Sequence, residues 1–186
     1  LHGLPGGGAE MLVDKVRFDV SPRKGSSENW LRVMEEAQSL GLTTSATNVF
    51  GFGETYSERI EHMEKIRCLQ SQSLSSGYSG FTSFISWPVM LENNAFGRIR
   101  HRRNISGLGA GSVEYLRHVA VSRIFMNNID HIQASWPTMG LDVAQIALSA
   151  GADDIGSTMM EENVVSASGT KKTMATVEEL KNSIID

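Results

Sequence analysis

The sequence contains a single cysteine, Cys68, among its 186 residues. One thiol excludes a disulfide within the chain, and it also excludes a metal site built from several thiolates of this chain. Cys68 lies within a helical pattern of apolar residues, so we predict a small, partly buried side chain with no chemical role.

Long apolar runs and an excess of positive charge are also absent. No stretch approaches the roughly 20 apolar residues that cross a bilayer, and the first residues lack the basic-then-apolar order of a signal peptide. We therefore expect a cytoplasmic protein with no membrane partner. The net charge of -4 offers no general attraction for nucleic acid. The chain has one local basic cluster, which consists of Arg98, Arg100, His101, Arg102 and Arg103. We interpret this cluster as a solvated connector in preference to a ligand-binding site.

Common catalytic and metal-binding signatures are missing. The five histidines show no paired i, i+4 spacing, which predicts surface or locally hydrogen-bonded residues and no metal ligands. The sequence also lacks a Gly-x-Ser-x-Gly elbow, a P-loop and a dinucleotide-binding fingerprint, so hydrolase, kinase and dehydrogenase functions have no support.

Helix-like and strand-like segments alternate along the chain. With 40% hydrophobic residues, the chain can bury a substantial core and fits one domain or part of a larger one. The predicted helices cover 26–40, 55–69, 112–127, 139–150 and a terminal segment capped by Thr176 and Glu179. The predicted strands cover 42–50, 81–87, 131–136 and 153–155, with linkers at 71–80 and 88–111.

This alternation predicts an α/β fold with parallel strands and outer helices, because parallel neighbours need crossover connections. Four strands are too few to close a (β/α)8 barrel of about 250 residues, which leaves a small open sheet or the C-terminal half of a barrel. The chain opens with Leu1-His2-Gly3-Leu4 and no initiator methionine. We therefore expect residues 1–186 to form a partial TIM-like barrel, its C-terminal half with a C-terminal extension.

Candidate binding residues follow the predicted strands, at the barrel face where chemistry occurs. Three glycines at 6–8 precede Glu10, and Gly51 precedes Glu54. In both places a ligand could approach the glycine backbone closely, and the glutamate that follows could accept hydrogen bonds from an amine or from ribose hydroxyls. Glu54 has an equally good alternative explanation, because an acid favours the N-terminal dipole of the helix that follows it.

Two further segments are polar and follow strand-like runs. Period-two alternation would place Gln133 and Ser135 on one face, where they could line a cavity, although a buried and internally paired glutamine is an alternative. Residues 158–163 include Glu161 and Glu162, a density of hydrogen-bonding groups that suits a pocket mouth. Solvated acidic loops of this kind are nevertheless common.

Together these motifs resemble one family, the radical S-adenosylmethionine enzymes of the menaquinone (futalosine) pathway. The resemblance covers nearly the whole chain. The motifs that carry it are Pro5-Gly6-Gly7-Gly8-Ala9-Glu10, Ser21-Pro22-Arg23-Lys24, residues 47–54, Trp87-Pro88 with Glu92-Asn93, Ile132-Gln133-Ala134-Ser135-Trp136 and residues 158–166.

The resemblance implies S-adenosyl-L-methionine and a 4Fe-4S cluster as cofactors, and an electron donor such as flavodoxin or ferredoxin. It implies cyclisation of dehypoxanthine futalosine, a small nucleoside substrate, by the full-length enzyme. By analogy, the cofactor-binding residues are Glu10, Gly51 and Glu54, and the substrate-binding residues are Gln133, Ser135, Glu161 and Glu162. No residue is assigned as catalytic or as a metal ligand.

One departure from the family pattern concerns the cluster. The family's Cys-x-x-x-Cys-x-x-Cys motif is absent from this chain, and Cys68 alone cannot replace three thiolates. We therefore expect the cluster ligands to lie in an N-terminal half that this chain lacks. Alternatives are an aminofutalosine synthase or an FO synthase type of enzyme, a nonradical nucleoside-binding module, and an inactive fragment.

Overall fold

The computed structural model describes residues 1–102, 105–159, 164–167, 172 and 174–185, without the side chains of 100–102, 164 and 165. Within these residues the helices are α1 (Asp14–Val20), α2 (Ser27–Ser39), α3 (Tyr56–Ser75), α4 (Ala95–Arg102), α5 (Ser112–Phe125), α6 (Trp136–Met139), α7 (Leu141–Ser149), α8 (Val164–Ala167) and α9 (Val177–Ile185). The strands are β1 (Gly3–Leu4), β2 (Thr43–Phe50), β3 (Phe81–Pro88) and β4 (His131–Gln133).

The four strands of the described residues form one parallel sheet in the order β1-β2-β3-β4. Ala46 pairs with Phe84 across β2 and β3, and Ile85 pairs with Gln133 across β3 and β4. Asp154 extends the sheet by one parallel bridge to Gln133. Strand order therefore follows chain order with helical crossovers, which confirms the predicted α/β class and is the arrangement of a segment of a TIM-like barrel.

The core lies between one face of the sheet and the outer helices. Strand residues Ala46, Phe50 and Phe84 point into it, where they meet Met63 of α3 and Tyr115 of α5, and all five are fully buried. Residues at alternate positions, Ser83, Ile85 and Trp87 among them, lie on the opposite face of the sheet and are half-buried. That second face leads to the polar loops at the strand ends.

Local sequence signals set several element boundaries as predicted. Ser26 caps α2 by accepting a hydrogen bond from Asn29 N at 3.2 Å. Thr55 and Glu58 form the predicted capping box at the start of α3. The side chain of Glu179 accepts the Thr176 backbone N–H at 2.8 Å at the start of α9. These signals act over three residues and need no tertiary context.

Four of the described helices, α1, α4, α6 and α8, and an extension of α3 were missing from the sequence prediction. The predicted connector at 88–111 contains α4, whose first turn is capped by Asn94 accepting the Gly97 N–H at 2.8 Å. Helix α1 was not predicted, and its Arg17 is held by the carbonyl of Ala9 at 2.6 Å. Helix α3 continues to Ser75 through part of the predicted linker at 71–80, because Ser73 is buried and its hydroxyl bonds Gln38 of α2.

The C-terminal boundaries also differ. The predicted strand at 131–136 ends at Gln133, and α6 begins at Trp136 with Pro137 in its first turn, a position that proline favours. The predicted helix at 139–150 is divided by Gly140, whose φ of 85° ends α6. The predicted strand at 153–155 is reduced to the single bridge at Asp154.

Two predictions about single residues were wrong. Ser112 does not cap α5, because it is the first helical residue and Gly111 occupies the cap position without a side-chain hydrogen bond. Cys68 is exposed, since its position on α3 faces solvent beside Glu64, and it is not partly buried. Among the described helices, none combines the length and apolar character that crossing a bilayer requires.

Candidate functional site

The loops that follow the parallel strands meet along one edge of the sheet, which we call the carboxyl edge. It comprises residues 5–13 after β1, 51–55 after β2, 89–94 after β3, 134–140 after β4 and 155–159 after the Asp154 bridge. Parallel strands bring these loops together because all their carboxyl ends point the same way. The described candidate residues of the sequence analysis all lie on this edge or on the last residue of a strand.

A pocket of about 140 Å³ opens between the ends of β3 and β4, and we call it the β3–β4 pocket. Its walls include Ile85, Trp87, Gln133, Ser135, Trp136 and Met159. Gln133 is half-buried, and its carboxamide forms no hydrogen bond with another described residue. The carboxamide therefore offers both a donor and an acceptor to a ligand, beside the half-buried indole ring of Trp87.

Ser135 also lines the β3–β4 pocket, but its polar atoms are already engaged. Its backbone N–H donates to the Tyr115 hydroxyl at 2.7 Å, and its Oγ accepts from Thr138 Oγ1 at 2.8 Å. Burial raises the pKa of Tyr115 to about 12, so this hydroxyl remains neutral at ordinary pH. Ser135 consequently shapes the pocket wall, and its position is fixed from the core side of the sheet.

Tyr115 was not identified from the sequence, although it fixes a predicted residue. It lies on α5, and its ring stacks on Phe50 of β2 at 6.5 Å between centroids. The sequence analysis assigned it no place, and the structure buries it completely in the core. Its hydrogen bond to a loop 20 residues later depends on tertiary packing, and no local signal could have found it.

A second cleft, of about 440 Å³, lies beside the end of β2 and is lined in part by Gly53 and Glu54. Glu54 is buried, and its two carboxylate oxygens accept the N–H groups of Gly51 at 2.8 Å and Phe52 at 2.7 Å. Arg59 Nε donates to the same carboxylate at 2.7 Å. Glu54 therefore holds the turn that follows β2, with its charge balanced by Arg59, a residue that the sequence analysis missed.

Gly51 permits the turn after β2 to approach the loop before α5. Its φ is 92°, and its carbonyl accepts the Gly109 N–H at 2.7 Å. A Cβ at this position would lie 2.9 Å from the Gly109 carbonyl carbon. Only glycine combines this backbone conformation with this close approach.

Glu10 lies beside β2, although it follows β1. Its carbonyl accepts the Val49 N–H at 2.8 Å, which brings it to the same corner of the sheet as Gly51. One carboxylate oxygen pairs with Lys24, and the other, Oε2, is buried at 3.9 Å from Arg17 Nη1, without a hydrogen bond among the described residues. Glu10 Oε2 is therefore an acceptor that a donor from a ligand could satisfy.

Two buried histidines pack beneath this corner. His62 Nδ1 accepts the Leu12 N–H at 2.9 Å, which ties the loop after β1 to α3. His118 Nε2 lies 3.2 Å from Ser86 Oγ of β3. Burial lowers the pKa of each histidine to about 3, so both are neutral at pH 7. Both position strands and loops, but His62 meets the expectation of a locally hydrogen-bonded histidine only at Nδ1, because its buried Nε2 has no partner among the described residues.

Some predicted residues lie outside the described part of the chain. Glu161 and Glu162 are not among the described residues, and of the basic cluster only Arg98 has a described side chain, which is exposed on α4. In the ranges that are described, no group of three or more histidine, cysteine, aspartate or glutamate side chains could hold a metal ion. The described candidates form two groups, with Gln133 and Ser135 in the β3–β4 pocket and Glu10, Gly51 and Glu54 at the end of β2.

Comparison with known proteins matches residues 78–186 to the model of one family, the CofH/MqnC C-terminal region. The chain is 43% identical over 171 residues to cyclic dehypoxanthine futalosine synthase of Streptomyces coelicolor, covering 92% of this chain and 40% of that protein. It is 34% identical to aminodeoxyfutalosine synthase of Thermus thermophilus, covering 91% of this chain and 43% of the relative.

A third relative is 5-amino-6-(D-ribitylamino)uracil–L-tyrosine 4-hydroxyphenyl transferase of Methanosphaerula palustris, with 36% identity over 93% of this chain and 45% of the relative. The chain therefore spans less than half the length of the curated relatives that it matches.

Proposed function

The chain belongs to the family of the CofH/MqnC C-terminal region, whose members include named enzymes, and we propose that it acts in the radical cyclisation of dehypoxanthine futalosine to cyclic dehypoxanthine futalosine. The product would enter menaquinone biosynthesis. Identities of 43% and 40% to two cyclic dehypoxanthine futalosine synthases, against 34% to an aminodeoxyfutalosine synthase and 36% to 38% to three of the 4-hydroxyphenyl transferases, favour this reaction. A cytoplasmic location and a flavodoxin or ferredoxin electron donor belong to the same proposal.

The observation that carries the proposal is the carboxamide of Gln133 in the β3–β4 pocket, which forms no hydrogen bond with another described residue. A nucleoside-like substrate presents flat rings and several hydroxyl or ring-nitrogen groups. The half-buried Trp87 supplies an apolar face for a ring, the buried Trp136 backs the pocket wall, and Gln133 supplies a donor group and an acceptor group beside them. A mostly apolar pocket with a few placed polar groups is the usual form of a small-molecule site.

Within that pocket, the chain's own residues would bind and orient the substrate. Ser135 would not need to contact it, because its role is to hold the loop between Gln133 and Trp136 in one position. The indole Nε1 of Trp136 donates to the Ser157 carbonyl at 3.0 Å, which fixes the opposite wall. The substrate would thus meet a rigid surface, and Glu161 and Glu162 would complete its contacts.

The corner at the end of β2 fits part of S-adenosylmethionine. Glu10 Oε2 is a buried acceptor without a hydrogen bond among the described residues, and it suits an ammonium group or a ribose hydroxyl. Glu54 would act through the turn at Gly51, since both its oxygens are occupied. When bound, S-adenosylmethionine supplies the hydrogen-abstracting species on which such cyclisation depends.

The chain's residues do not fit a 4Fe-4S cluster. Such clusters take several cysteine thiolates, and the one cysteine here, Cys68, is exposed on α3. No step involving a cluster is therefore assigned to these residues.

Calorimetric titration of the chain with dehypoxanthine futalosine tests the proposed pocket. We expect saturable binding that weakens about tenfold in Gln133→Leu, which keeps the size of the side chain but removes both hydrogen-bonding groups. Gln72→Leu is the matched control, because Gln72 is exposed on α3 and bonds Glu35. Equal affinity of the Gln133→Leu and Gln72→Leu variants would remove Gln133 from the site. Tighter binding of aminodeoxyfutalosine than of dehypoxanthine futalosine would favour the reaction of aminodeoxyfutalosine synthase.

A further inference from the structure

A cavity of about 280 Å³ lies between α3 and α5, on the helical side of the sheet and away from the β3–β4 pocket. The residues that line it are Tyr56, Arg59, Ile60, Met63, Glu114, Arg117, His118 and Val121. None of the residues assigned above to substrate or cofactor lies in this wall. The cavity is therefore a separate feature of the fold.

The inner part of the cavity is apolar. Ile60 and Met63 lie one turn apart on α3, Val121 faces them from α5, and Met63 is fully buried. His118 closes the floor as a neutral ring, because burial lowers its pKa to about 3 and its Nε2 is engaged with Ser86. This floor suits a flat apolar group of one or two rings, since the volume lies just below the range of about 300–1,000 Å³ that holds drug-sized ligands.

Arg117, on the rim of the cavity, is a cation with unused donors. Arg117 is 57% exposed in its side chain, and its Nη1 donates to Glu114 at 2.9 Å and to the Tyr56 hydroxyl at 3.2 Å. Its Nε and Nη2 groups form no hydrogen bond with another described residue. That free edge of the guanidinium group matches the two oxygens of a carboxylate.

The acidic residue on the rim does not favour a cation instead. Glu114 is paired with Arg59 at 2.6 Å as well as with Arg117. A cationic ligand would have to displace one of these guanidinium groups from Glu114. An anion can bind Arg117 without breaking either pair.

We propose that this α3–α5 cavity binds a small aromatic molecule with one carboxylate group, its ring between Ile60 and Val121, above the buried Met63, and its carboxylate on Arg117. The proposal does not rest on the proposed function. The site is regulatory, because one of its walls is Arg59, which also holds Glu54. Glu54 in turn bonds the N–H groups of the Gly51 turn on the carboxyl edge, so binding at the cavity alters the environment of that turn.

Indole-3-acetate and its uncharged amide, indole-3-acetamide, are suitable probes. Methyl-labelled methionine makes Met63 visible by NMR, and the other eight methionines report on folding. We expect indole-3-acetate to shift the Met63 signal with a dissociation constant of about 1 mM or tighter, as its size allows. We expect indole-3-acetamide to bind about tenfold more weakly, because it lacks the charge. The amide signals of Gly51 and Phe52 should move with the same dissociation constant.

Two pairs of variants test the contact of the ring and the contact of the carboxylate separately. Val121→Trp fills the cavity and should abolish binding, whereas Val113→Trp, on an exposed position of the same helix, should leave it unchanged. Arg117→Gln should weaken indole-3-acetate about tenfold and leave indole-3-acetamide unaffected. Arg67→Gln is the control, because Arg67 lies outside the cavity and pairs with Glu64 at the same i,i+3 spacing. This variant should bind indole-3-acetate and indole-3-acetamide as the unmodified chain does.

The proposal fails if Met63 does not shift at about 10 mM indole-3-acetate, a concentration well above the expected dissociation constant. It also fails if Arg117→Gln and Arg67→Gln bind both probes equally. Arg117 is exposed, so this comparison does not depend on a variant that disturbs the core. If Met63 shifts while Gly51 and Phe52 do not, the regulatory link to the carboxyl edge is overturned.

Discussion

Lowering the pH from 7 to 5 should destabilise the fold through two buried histidines. His62 and His118 are 0% and 4% exposed, and burial lowers the pKa of each from 6.5 to about 3. The Nδ1 atom of His62 also accepts a hydrogen bond from the Leu12 N–H, which requires this nitrogen to be unprotonated. Protonation of that nitrogen would break the hydrogen bond and place a charge beneath β2.

The size of the effect follows from proton linkage. Between pH 6.5 and pH 3 the unfolded chain binds protons at both histidines and the folded chain does not, so stability falls as the pH falls through this window. Above pH 6.5 both histidines are neutral in the folded and in the unfolded chain, so the fold keeps its full stability. At pH 5 each histidine costs about 2 kcal/mol relative to pH 7, or about 4 kcal/mol for the pair. That is a large part of the 5–15 kcal/mol typical of a domain. Carboxylates add little, because they titrate mainly below pH 5.

Urea denaturation at pH 7, 6 and 5 measures the effect directly. His62→Asn keeps an acceptor near the position of Nδ1 and removes one titrating group, so it should lose about 2 kcal/mol between pH 7 and pH 5 where the unmodified chain loses about 4. His2→Asn is the control, because His2 is exposed, and it should behave like the unmodified chain. A chain whose unfolding free energy is the same at pH 5 and pH 7 would refute the burial of both histidines.

Two further predictions concern the carboxyl edge. Gly51→Ala should cost about 2–4 kcal/mol in urea denaturation, because its φ is 92° and a Cβ would lie 2.9 Å from a backbone carbon of the loop before α5. Gly41→Ala, with a φ of 77° and no atom within 4 Å, should cost only about 1 kcal/mol, and equal losses would contradict the close approach. Tyr115→Phe should cost about 1–3 kcal/mol, since it leaves the Ser135 N–H without its partner. Tyr78→Phe, which changes a more exposed ring, should cost little, and a similar loss for both would argue against the hydrogen bond.

The parts of the fold that the sequence predicted well depend on local chemistry. Thr55 and Glu58 form their capping box within one helical turn, and the β-branched run of β2 needs only the period of a strand. The alternation of such segments was sufficient to predict a parallel sheet. The glycine and acid pairs at strand ends then located the carboxyl edge, because parallel strands end on one side.

The contacts that build the site could not be predicted, because they join residues far apart in the sequence. Arg59 reaches Glu54 locally, but the same side chain also pairs with Glu114, which is 55 residues away. Tyr115 reaches Ser135 from the core side of the sheet. Helix α1 was missed for a similar reason, since its Arg17 is held by loop carbonyls and no cap signal precedes it.

The sequence also could not show that the carboxylate of Glu54 is already occupied by hydrogen bonds within the chain. A glutamate after Gly53 predicts equally a ligand contact and a helix N-terminus, and neither interpretation includes the observed hydrogen bonds of its carboxylate to the Gly51 and Phe52 N–H groups. By contrast, Gln133 has a carboxamide that no other described residue bonds. Composition does not distinguish an occupied polar group from a free one, and only the packed structure does.

A hybrid enzyme tests the central claim most directly. The 171 matching residues of the Streptomyces coelicolor synthase would be replaced by those of this chain, and conversion of dehypoxanthine futalosine would be followed by mass spectrometry. We expect cyclic dehypoxanthine futalosine from the hybrid, and a large loss of product when the hybrid carries Gln133→Leu but not Gln72→Leu. A folded hybrid that retains its cluster and S-adenosylmethionine binding, yet forms no cyclic product, would contradict the assignment.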